Sequence, residues 1–115
     1  MENKYTSPKL SKLLFDNGCK LKSRKAYNLM PDGGFYDNLV NVHSFSKSII
    51  KDRLVLTYDI LNDICVKYAR EFFGDIRRGE YTREVLALLQ RNQKQEAEDY
   101  IWEHTIFNKS NKKQD

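Results

Sequence analysis

Leu10, Leu13 and Leu14 fall on one face of a helix, and the residues around them mark its ends. Ser7 suits the N-cap, Pro8 the first helical position, and Gly18 the left-handed residue after the last turn. A second seam follows in residues 57–73. There Ile60, Leu61, Ile64, Cys65, Tyr68 and Phe72 recur at spacings of three and four. Asp59, Asn62, Asp63, Lys67, Arg70 and Glu71 occupy the opposite face, with Asp63 and Lys67 at i,i+4 spacing. Gly74 stops this helix, and an Ile-Arg-Arg-Gly linker leads onward. From Thr82 the positions Val85, Leu86 and Leu89 resume the pattern. Arg91-Asn92-Gln93 interrupts it, and Ala97, Tyr100, Ile101 and His104 restore it. The break predicts two short helices with a tight connection, Asn92 capping the first.

The pattern changes between Ala26 and Val40. Two aromatic-rich apolar stretches flank Pro31-Asp32-Gly33-Gly34, which predicts a β-hairpin. The glycines are turn residues, since no Lys-Ser/Thr follows them as in a phosphate-binding loop. Residues 41–53 are mostly polar and predict a loop, with Leu54–Leu56 as a short strand. Residues 1–6 are expected to be frayed, and the tail 108–115, with no apolar content, to be disordered. The chain therefore predicts one α+β domain over residues 1–107, mainly helical (about four helices), with a small antiparallel hairpin or sheet. Its core is expected from Leu13, Leu14, Ile60, Leu61, Ile64, Tyr68, Phe72, Leu86, Leu89 and Ile101.

With 115 residues, one core can form without disulfide staples. No apolar run is long enough for a transmembrane helix, and no signal-peptide pattern opens the chain, so a cytoplasmic protein is expected. In that setting the two cysteines, Cys19 and Cys65, are expected as reduced core residues. The net charge of +4 is uneven: ten Lys/Arg against five Asp/Glu in residues 1–56, then ten against eleven. Lys20, Lys22, Arg24 and Lys25 cluster near the aromatics Tyr27, Phe35 and Tyr36, a composition that can serve nucleic-acid binding.

Candidate chemistry is sparse. Glu96, Asp99 and Glu103 share a helix face, but a solvated surface accounts for them. His43 and His104 lack the paired spacing of a zinc site, so no metal and no cofactor are expected. Cys65 lies within an apolar seam, a poor setting for a thiolate. Trp102 and Ile106 form a second apolar seam, continued by Phe107, on a helix whose other face already serves the core. Such a helix packs between two elements or meets another chain. In the monomer Trp102 is expected against the hairpin, near Phe35 or Tyr27.

The blocks SKLLFDNGCKLKS (11–23), YDILNDICVKYAREFFG (58–74) and LLQRNQKQEAEDYIWEHTIF (88–107) resemble a group of small uncharacterised bacterial proteins encoded in phage or prophage regions. The resemblance implies a mobile-element origin and one small domain. It implies no activity, cofactor or site residue. The expected function is a non-enzymatic accessory or adaptor protein of phage type. Its partner would be another protein or a second copy of the chain, bound through Trp102, Ile106 and Phe107. The alternative is a weak nucleic-acid binder using Lys20, Lys22, Arg24 and Lys25. A hydrolase using Cys19 or the 96–103 carboxylates is a third reading.

Overall fold

The computed structural model describes residues 4–74 and 77–108. Within them the protein is α+β. Helix α1 (Pro8–Asp16) starts as its sequence dictates, with the Ser7 hydroxyl accepting from the Leu10 amide at 3.3 Å. Gly18 supplies the left-handed φ of +102° that ends it. The hairpin forms from β1 (Lys25–Leu29) and β2 (Phe35–Asn41). Strand β3 (Leu54–Leu56) pairs antiparallel with β1, so the sheet order is β2-β1-β3.

Residues 41–53 depart from the expected loop. A 3₁₀ turn (Val42–Ser44) leads into helix α2 (Lys47–Arg53). The Ser46 hydroxyl caps α2 by accepting from the Ile49 amide. With only Ile49 and Ile50 as apolar residues, α2 buries no side chain fully, which is why its pattern is weak.

The expected long helix is a π-helix (Ile60–Lys67) followed by α3 (Ala69–Phe73). The Asp59 carbonyl accepts from both Asp63 and Ile64 amides, at 3.1 and 3.0 Å, and the wider pitch continues to Tyr68. Two carbonyls near the change of pitch accept from side chains further along the chain: Thr82 donates to Cys65 and Arg78 to Val66. The wider turn carries Asp63 from the expected outer face into the interior, where it is 7% exposed, and leaves Tyr68 half-buried. Among the described residues Asp63 and Lys67 form no ion pair.

Gly74 closes α3 at φ +74°. Helix α4 (Arg78–Gln90) begins earlier than expected, absorbing Arg78 and Gly79. Asn92 takes a positive φ of 58°, and α5 (Lys94–His104) follows. The core joins α1, the π-helix, α3, α4 and α5 through Leu10, Leu14, Ile60, Ile64, Phe72, Val85, Leu89 and Ile101. Leu86, expected inside, is exposed, and Leu13, Leu61 and Tyr68 are half-buried. Val85 takes the inward position in α4, one residue before Leu86.

The expected frayed start and the first residue of the expected disordered tail are ordered where described. Tyr5 bridges to Asp59, Thr6 is fully buried, and Lys4 pairs with Asp59 at 3.2 Å. Asn108 is buried, and its side-chain amide donates to the Trp102 carbonyl. The rest of the expected tail, 109–115, lies outside the described residues, as do residues 1–3. Among the described residues no helix is long and apolar enough to cross a membrane.

Candidate functional site

The core cluster includes no sheet residue, although Ala26 and Leu54 are buried. The sheet and α2 therefore stand beside the helical body, and α1 packs on β3 at the junction. This arrangement leaves a groove of about 540 Å³ between α1, α2 and the sheet. Leu29, Ile50, Leu54, Val55 and Leu56 line it with apolar side chains. Phe15 stands at its edge, 57% exposed, the most open of the large apolar side chains described. Lys12, Lys47 and Lys51 surround this apolar lining, and all three are exposed. Asp16 is the one acid in the lining and is held by Lys12 at 3.7 Å. A second hollow on the other flank of α1 shares Lys12 and Asp16 and adds Leu13, Pro8 and Phe35. Helix α1 is thus a ridge with an apolar furrow on either side.

A different, polar cleft of about 410 Å³ opens at the π-helix. Lys22 and Arg24 reach it from the segment before β1, His43 from the 3₁₀ turn, and Asp63, Lys67 and Tyr68 from the π-helix and its end. Burial pushes the Asp63 carboxyl above the usual range, and Asp59 adds to the rise. Lys67, Arg24 and Lys4 partly offset it. The folded state therefore holds this proton more tightly than the unfolded chain. The associated stability is present in acid and is lost as pH rises from the ordinary carboxylate value through the raised one. Asp63→Asn is accordingly expected to raise Tm near neutrality. The gain should vanish below about pH 4, where the unfolded-state carboxyl is protonated too. A Tm that falls equally at both pH values would contradict this.

The sequence-derived site residues scatter. Trp102 and Phe107 are half-buried against the helical core, and Ile106 is 37% exposed. The Phe107 ring meets Phe72 edge-on at 5.4 Å, and the core on which Trp102 packs contains no hairpin residue. Trp102→Ala is therefore expected to cost about 2 kcal/mol of folding stability. Its mass by light scattering should be unchanged. A folded variant of lower mass would instead make Trp102 an assembly contact.

Of the basic set, Lys22 and Arg24 share the polar cleft, Lys25 donates to the Asn41 side chain at 2.6 Å, and Lys20 is exposed outside the cleft lining. Glu96, Asp99 and Glu103 are all exposed. His104 is a structural residue, bonding the Tyr100 carbonyl at 2.8 Å. Cys19 and Cys65 are free and fully buried. Burial pushes both thiols up, Cys65 to about 12. Neither thiol is poised as a nucleophile.

Sequence reasoning missed one acid with a defined task. Glu98 is 4% exposed and accepts from the Ser7 amide at 2.7 Å and from the Ser7 hydroxyl at 2.5 Å. Lys94 lies 3.8 Å from it and donates to the Tyr5 carbonyl at 2.8 Å. Together they fasten the start of α1, the ridge of the groove, to α5. The spacing of Lys94 and Glu98 was readable, but their partners lie at the other end of the chain.

No family model, curated protein or solved structure matches this chain.

Proposed function

We propose that this protein is a non-enzymatic adaptor that holds an acidic amphipathic helix of a partner protein in the groove between α1, α2 and the sheet. The observation that carries this reading is the pairing of an apolar lining with three exposed lysines and an open aromatic. An apolar lining with lysines beside it suits an amphipathic helix laid in a groove. Leu-type side chains of a partner helix would enter the furrow, and its flanking carboxylates would meet Lys12, Lys47 and Lys51. Phe15 is the anchor, since exposed rings dominate such contacts. An accessory role in a mobile element is part of the same proposal, on the likeness of the three sequence blocks alone.

A labelled model helix with leucines on one face and glutamates beside them tests this reading by fluorescence anisotropy. Phe15→Ala should weaken binding about tenfold. Changing Lys12, Lys47 and Lys51 together to Glu should abolish it, and a lysine-flanked version of the peptide should not bind. Equal binding of both peptides, or no effect of either change, would overturn the proposal.

A further inference from the structure

The polar cleft at the π-helix has a division of charge that the groove reading does not use. Its cations come from different parts of the chain: Lys22 and Arg24 precede β1, and Lys67 ends the π-helix. All three are exposed, whereas Asp63, the one carboxylate in the lining, is buried. Among the described residues none of the three cations forms an ion pair. Lys67 instead lies over the Tyr68 ring, 5.0 Å from its centre. An anion is therefore welcome at the outer rim and repelled at the floor, where Asp63 accepts from the Asn62 side-chain amide at 3.2 Å and has a second carboxylate oxygen to offer a donor.

We propose that this cleft binds a small phosphate ester bearing an N–H donor, of mononucleotide size. The phosphate would sit among Lys22, Arg24 and Lys67, and Asp63 would accept from the ligand's N–H group. The cleft's volume of about 410 Å³ suits a ligand of that size. A run of phosphodiesters offers Asp63 no donor, so a polymer would have to turn a base toward it. Lys25, already engaged by Asn41, does not extend the rim into a stripe.

Calorimetric titration of the 115-residue chain with AMP, ribose 5-phosphate and a single-stranded oligonucleotide tests this assignment. AMP should bind more tightly than ribose 5-phosphate, and the oligonucleotide more weakly than either. Arg24→Gln and Lys67→Gln should each weaken AMP about tenfold, the loss expected for one charge-assisted contact. Asp63→Asn should stay folded and bring AMP and ribose 5-phosphate closer together in affinity. Absence of AMP binding at low salt would overturn the proposal. So would equal affinity for AMP and ribose 5-phosphate in the unmodified protein, a readout that needs no variant. Tighter oligonucleotide binding would assign the cations to a polymer instead.

Discussion

Replacing Phe72 by Ala is expected to cost about 3–5 kcal/mol of stability, measured by urea unfolding. Phe72 is fully buried and its ring meets Phe73 and Phe107 edge-on, with centroids 4.9 and 5.4 Å away. Its carbonyl also accepts from the Ile106 amide and the Thr105 hydroxyl, so the segment just after α5 closes over this residue. Truncation leaves a cavity between α3 and that closing segment. A small domain has about 5–15 kcal/mol in total, so the variant should sit close to its unfolding transition at 37 °C. A loss below about 1 kcal/mol would mean that the closing segment is not packed as described.

The second large effect is expected at Glu98. Removing a partner from a buried charged cluster costs about 3–5 kcal/mol, because the remaining groups stay desolvated without their acceptor. Glu98→Ala strands the Ser7 amide and hydroxyl and leaves Lys94, whose ammonium burial already lowers below its usual range, without its carboxylate. Local loosening should follow where Glu98 acts at a distance. Amide exchange should quicken in α1, residues 8–16, more than in α4. Glu98→Gln should lose less, since one amide oxygen can still accept from Ser7. Uniform quickening across the protein, or none, would contradict a fastening role for this residue.

Much of the fold was legible because local signals agreed with the packing. Ser7-Pro8 and Gly18 bracket α1, Gly33 turns the hairpin, and Asn92 separates α4 from α5. The π-helix was not legible, because Ile64 and Cys65, four and five residues after Ile60, suit either pitch over so short a run. That one difference moved Asp63 from the surface to the floor of a cleft. Helix α2 was hidden by its polarity: it rests lightly on β3, so few apolar residues were needed to hold it. The candidate groove was harder still. Phe15, Leu29, Ile50 and Leu56 come from four separate segments, and no linear pattern announces that they meet. Trp102 drew attention as the lone tryptophan on a second seam; Trp102 and Phe107 pack in part on the molecule's own core, while Ile106 stays exposed.

The groove reading is tested most directly by mapping amide chemical shifts while the glutamate-flanked model helix is added. The account predicts shifts concentrated at Phe15, Leu29, Ile50 and Val55, with Trp102, Ile106 and Phe107 unmoved. Shifts centred on Trp102 and Ile106, or no shifts at saturating peptide, would contradict it.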